Sequence, residues 1–196
     1  LYIWGRTLTA LLGAATVPAL LLLGRRMFGA RTGLLAALAL MVTAFHVRHS
    51  HYITVDAPTG LWVTLATLGA WEVAASGRWR GYLLAGAAAG LAAGTKYNAG
   101  VVVVTIAVAH LIFWRRAGLG RPLGRLVASG CVALLAFLAT TPFALADPAF
   151  FLGQLRFNAV HYSLGTHGDF TGPWPVASYA TFFWDESLFA PACLLL

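Results

Sequence analysis

The side chains able to do chemistry in this chain are few, and they cluster. The stretch His46 to Gly60, HVRHSHYITVDAPTG, sets His46, His49, His51, Arg48 and Asp56 between two apolar runs. Lys96 stands in GTKYNAG inside another apolar run, with Tyr97 and Asn98 beside it. Ionisable groups near membrane depth are costly and usually face a cavity or a partner. Asp56, just before Pro58, carries two compatible readings. One is a helix cap that satisfies free N–H groups and complements the helix dipole. The other is an acid that binds a polar substrate or cation. Arg48 offers a forked guanidinium suited to a phosphate or diphosphate, with His49 and His51 flanking it; the alternative is an interfacial snorkel. Lys96 has no partner in its local sequence and must find water, an acid such as Asp56, or an anion. Its functional reading is substrate-phosphate binding, with Tyr97 alongside. His161 is an acid–base or ligand candidate, set against an ordinary surface histidine. No tight metal-ligand spacing such as HExxH occurs. No metal ligands and no cofactor are therefore assigned, although a divalent cation on Asp56 with a nearby histidine stays open.

The elements that must position these residues are apolar helices. The composition is 60% hydrophobic and 10% charged, with a mean hydropathy of +0.78. Soluble domains carry about 25% charged residues, and a spanning helix needs roughly 17–25 mostly apolar ones. Apolar runs cover residues 7–23, 32–45, 58–75, 81–114 and 126–142. The run 81–114 is too long for one span and is split near Lys96. The expected fold is an all-α polytopic transmembrane bundle with about six full spans, an extracytoplasmic interfacial helix and the start of a seventh span. Gly86, Gly90 and Gly94 recur every four residues, a small-residue face for close helix packing. GAAAGLAAGTK lacks the spacing of a phosphate-binding loop and follows no strand.

Charge sets the expected orientation. Arg25, Arg26, Arg31, Arg78, Arg80, Arg115, Arg116, Arg121 and Arg125, nine of the thirteen basic residues, lie after the first, third and fifth runs. The positive-inside rule makes that side cytoplasmic. Asp56, Asp147, Asp169, Asp185, Glu186 and every histidine except His110 then fall on the other side. Glu72 is the exception among the acids and is expected to snorkel or to meet Arg78. The formal charge of +7 thus reflects membrane topology and no nucleic-acid partner. An integral protein of the cell (plasma) membrane, active at its extracytoplasmic face, is expected. Cys131 and Cys193 lie in apolar runs and read as small buried side chains.

From Asp147 the pattern changes. Asp147 is a good N-cap, followed by Pro148 at the first helical position. Gln154, Asn158 and His161 form one stripe, and Phe151, Leu155, Ala159 and Tyr162 another. This predicts an amphipathic helix lying in the interface. Residues 143–186 are read as an extracytoplasmic interfacial segment of a single integral-membrane domain spanning 1–196. The chain lacks an initial Met and ends in ACLLL within an apolar run. It reads as a piece truncated at both ends and is expected to be inactive alone.

The GR-x-L opening, the GRRMFG turn, HSHYITVDAP, the GTKYN break and TTPFALADPAFFLGQLRFNAVHY follow one another in a familiar order. In this the chain resembles the GT-C glycosyltransferases of the dolichyl-phosphate-mannose–protein mannosyltransferase group, which includes lipid A aminoarabinose transferases. The resemblance implies a mannosyltransferase-like enzyme. It would take a sugar from a polyprenyl-phosphate donor and transfer it, with inversion, to a protein or lipid acceptor. In the family the principal catalytic acid sits on the first outer loop, before the span that starts here at Thr7, and that loop is not in this sequence. Asp56 matches a second catalytic acid in kind and place. Arg48 and Lys96 match the basic character expected near the lipid phosphate. A different class, a polytopic transporter or lipid flippase, would place its ions near the midplane and show repeated halves. Here the odd charges gather at one face and no internal repeat is seen.

Overall fold

The structure is a computed structural model that describes residues 2–117 and 123–163. Every regular element among them is helical: α1 (Tyr2–Phe28), α2 (Ala30–Val42), α3 (Ala44–His51), α4 (Asp56–Ser76), α5 (Trp79–Thr95), a 3₁₀ turn (Tyr97–Val102), α6 (Val103–Ala117), α7 (Leu123–Thr140), α8 (Phe143–Ala146) and α9 (Pro148–Ser163). The described residues divide into two compact units, 2–42 with 46–117 and 123–140, and 43–45 with 141–163.

In the first unit α5 packs between α4 and α7, while α4 also packs on α1 and α6. The core is built mostly of alanine, including Ala66, Ala70, Ala85, Ala88 and Ala92, around Val73 and Tyr82. Larger apolar side chains such as Leu11, Leu35, Val104 and Leu135 face outward. This inside-out distribution suits a lipid solvent, where helices associate through small residues that bring backbones together. A Cβ at Gly86 or Gly90 would collide with the carbonyl oxygens of Ser129 and Ala133 on α7. The predicted small-residue face is therefore the α5–α7 contact at these two positions. Cys131, two residues beyond the buried Ser129, falls on the opposite side of α7 and is exposed, contrary to the expectation of burial.

By length and composition α1, the 3₁₀ turn with α6, and α7 can each cross a membrane. Counting α2 with α3, bent by 59° at their junction, gives up to four such helices among the described residues. The protein is thus an integral membrane protein, all-helical among the described residues. The break at Lys96 lies where the sequence puts it, because α5 stops at Thr95 and the chain re-enters through the 3₁₀ turn.

Arginines tie the elements together at one end of this unit. Glu72, buried on α4, pairs with Arg80 and, at 3.6 Å, with Arg26 of α1. The expected partner Arg78 is not used. It is the extended N-cap of α5 (φ −69°, ψ 145°), whereas Arg80 lies inside the helix and reaches back. Gly77 ends α4 in the left-handed region (φ 60°), and its carbonyl accepts from Arg125 Nη1 at 2.5 Å. A side chain at Gly77 would also strike the Phe113 ring.

In the second unit Asp147 caps α9 as predicted, its Oδ1 accepting from the Phe150 N–H at 3.0 Å. Amphipathicity does not follow. Gln154, Asn158 and His161 form a narrow polar stripe, but Phe150, Leu152, Phe157 and Val160 are exposed at positions distributed round the helix. Two opposed faces need apolar residues confined to one side at 100° per residue, and here they are not.

Candidate functional site

The site starts from a bend. Helix α2 ends at Val42, and α3 turns 59° from it before docking on α1. His46 and Ser50, one turn apart, carry that docking. His46 Nε2 lies 3.2 Å from the Gly13 carbonyl oxygen, and Ser50 packs where a Cβ at Gly13 would stand. Arg6 of α1 completes it by donating from Nε to the His51 carbonyl at 2.8 Å, the free end of α3. A cation at a helix C-terminus also complements the dipole. With His46 and Ser50 against α1, His49 is left facing the start of α4.

There Asp56 opens α4. No backbone N–H of the first turn donates to its carboxylate, and Val55 holds the N-cap position without a side-chain cap. The capping reading of Asp56 is thereby corrected, while its place in the first turn still favours the dipole. Its two oxygens go elsewhere. Lys96 Nζ donates to Oδ1 at 3.0 Å, and His49 Nδ1 lies 3.2 Å from Oδ2. Lys96 can reach because it is the extended residue (φ −151°, ψ 104°) between α5 and the 3₁₀ turn. The side chains of Lys96, Asp56 and His49 are 39%, 37% and 22% exposed, so the group is open to a ligand at the rim.

Three of the predicted site residues, Asp56, Lys96 and His49, are therefore brought together. The others are not in this group. Arg48 is exposed on α3. His51 is exposed, with Nδ1 2.7 Å from the Val47 carbonyl oxygen one turn back. Tyr97 follows Lys96 and is exposed. His161 belongs to the second unit, where its ring stacks on Phe157 with centroids 5.9 Å apart. Arg6 was missed as a positioning residue; its only sequence signal was a lone cation at the head of an apolar run. As for a metal, no group of three or more His, Cys, Asp or Glu converges among the described residues. His49 and Asp56 supply two donors beside an ammonium.

Elsewhere in the unit Tyr82 Oη and His110 Nδ1 share a buried hydrogen bond of 2.5 Å, and Ser129 Oγ donates to the Tyr82 carbonyl at 2.8 Å. This chain of bonds joins α5, α6 and α7 without reaching the Asp56 group.

Apolar-faced helices carrying a charged cluster at one rim define a membrane protein with a polar site at its edge. Residues 4–144 match the model of the family described as dolichyl-phosphate-mannose-protein mannosyltransferase, and the chain belongs to that family. It is a membrane glycosyltransferase family. The match takes in α1 through α7 and every member of the Asp56 group, and ends before α9. No curated protein and no solved structure matches the chain.

Proposed function

We propose that this protein transfers a sugar, with inversion, from a polyprenyl-phosphate donor to a protein or lipid acceptor at the extracytoplasmic face of the plasma membrane. The observation that carries this reading is the convergence of Lys96, Asp56 and His49 from three elements at the end of the unit opposite its arginine cluster. By the positive-inside rule the arginine end is cytoplasmic, which leaves the Asp56 rim outside. The full membrane domain on this reading has about six spans: α1, α2 with α3, α4, α5, the 3₁₀ turn with α6, and α7. At 1.5 Å per residue α4 and α5 reach about 31 and 25 Å, lengths compatible with crossing.

The chemistry follows from a shared carboxylate. A lipid phosphate arriving at the rim competes with Asp56 for the Lys96 ammonium, and Arg48, His51 and Tyr97 stand exposed nearby in sequence to receive the rest of the head group. Transfer of Lys96 to the phosphate releases Asp56 Oδ1. The acceptor nucleophile then attacks the anomeric carbon, the carbon–oxygen bond to phosphate breaks with its electron pair going to phosphate, and Asp56, as the second acid, takes up the acceptor proton. A fixed cation at the departing charge and a carboxylate within reach of the proton each lower the barrier. His49 stands beside the other carboxylate oxygen. The polar stripe of α9 with His161 is a separate substrate-contacting surface.

The test is transfer from a radiolabelled polyprenyl-phosphate sugar by the full natural chain in proteoliposomes. Asp56→Asn and Lys96→Gln should each lower turnover on the order of 100-fold or more, with insertion unchanged. Unaltered transfer in both variants contradicts the assignment.

A further inference from the structure

We propose that the arginine end of the first unit binds one anionic glycerophospholipid. One acyl chain lies in a groove between α1, α4 and α6, and the phosphate sits on Arg78 and Arg116. The groove is lined by Met27 of α1, by Trp71 and Ala74 of α4, and by Thr105, Val108 and Ile112 of α6. Its volume is about 260 Å³, below the roughly 300–1,000 Å³ of a small-molecule site. It is apolar almost throughout and open along its side, which suits a stretch of hydrocarbon chain rather than a compact ligand.

The position of the charges selects the occupant. Val104, Val108, Ile112 and Arg116 recur at four-residue spacing along α6 and share one stripe, so Arg116 crowns the groove wall. Arg78 is the second residue past Ser76, where α4 ends, just beyond Ala74. Both arginines are exposed, and among the described residues neither has an ion-pair partner. Arg26 and Arg80 are engaged on Glu72, and Arg125 on the Gly77 carbonyl and over the Trp79 ring, while Arg25, Arg31 and Arg115 add further exposed positive charge at this end. Two exposed guanidinia just beyond the ends of the groove's α4 and α6 walls offer phosphate recognition above and chain burial below. The groove's other end, at Thr67, is eleven residues along α4 from Asp56, about 16 Å away. It thus opens nearer the arginines than the Asp56 group. The proposal is independent of the reading of Asp56.

The experiment is native mass spectrometry of the detergent-solubilised full chain, offered equimolar phosphatidylglycerol and phosphatidylcholine with matched acyl chains. Retention of one phosphatidylglycerol in preference to phosphatidylcholine is expected. The double variant Arg78→Gln/Arg116→Gln should reduce that preference on the order of tenfold. Ala74→Leu, which fills the groove, should lower retention of both lipids, while Lys96→Gln should change neither. Equal retention of the two lipids overturns the proposal. So does a preference that survives the double arginine variant, or displacement of the lipid by a polyprenyl phosphate in a manner lost with Lys96→Gln. The arginines are exposed, so the variant protein folds; an unchanged gel-filtration profile verifies this.

Discussion

Asp56 and Lys96, forty positions apart, meet at 3.0 Å across the start of α4 and the end of α5. Their contact joins the only acid of the opening cluster to the cation that breaks a long apolar run. An ion pair this exposed adds little stability, about 0.2–1 kcal/mol, so its placement at the rim points to binding rather than to folding.

The first prediction separates those two roles. Exchanging the charges, Asp56→Lys with Lys96→Asp, keeps an ion pair possible and should leave thermal stability within about 1 kcal/mol of the natural chain. Sugar transfer should be abolished, because the proposed proton acceptor and the proposed phosphate cation change places. Stability by thermal scanning and transfer by radiolabel, measured on the same preparation, check it.

A second prediction concerns the seat of α3. Gly13→Val forces a side chain into the space held by Ser50. Overpacking of this kind costs about 1–3 kcal/mol. It should displace α3 and with it His49, so transfer falls even though no group of the Asp56 cluster is altered. The pair Gly13→Val/Ser50→Gly should recover part of the loss.

The third concerns the buried bond between Tyr82 and His110. Tyr82→Phe removes the hydroxyl and leaves His110 Nδ1 without that partner, at a cost of about 1–3 kcal/mol. His110→Phe on top of it should cost less than the sum of the two single changes. A double-mutant cycle on denaturation midpoints reads the coupling.

A fourth prediction addresses the arginine end. Glu72→Gln removes the buried carboxylate shared by Arg26 and Arg80. The arginines are about half exposed, which reduces the penalty of a fully buried pair, and a loss of roughly 1–2 kcal/mol is expected. Arg78→Gln, by contrast, should leave thermal stability within about 0.5 kcal/mol.

Much of this architecture can be read from residue types. Lys96 breaks a run too long for one span, and the helix does stop beside it. Asp147 followed by Pro148 marks a helix start, and its carboxylate caps it. The choice among histidines could not be read. Which of His46, His49 and His51 faces Asp56 depends on the bend after Val42 and on the seating of Ser50 at Gly13, contacts 33 to 37 positions distant in sequence. Glu72 met Arg80 instead of Arg78 because the backbone at Arg78 is extended, a local angle that composition does not encode. The α9 helix misled because its polar stripe is real but narrow, and the stripe alone says nothing of the apolar residues beside it.

The central claim is that Lys96, drawn from Asp56, grips the phosphate of a lipid donor. It is tested most directly by equilibrium binding of a fluorescent polyprenyl phosphate to the protein in nanodiscs, comparing the natural chain with Lys96→Gln and Asp56→Asn. Lys96→Gln should weaken binding about tenfold or more, while Asp56→Asn, which frees the ammonium from its competitor, should tighten it or leave it unchanged. Equal affinity in the natural chain and Lys96→Gln would contradict the account.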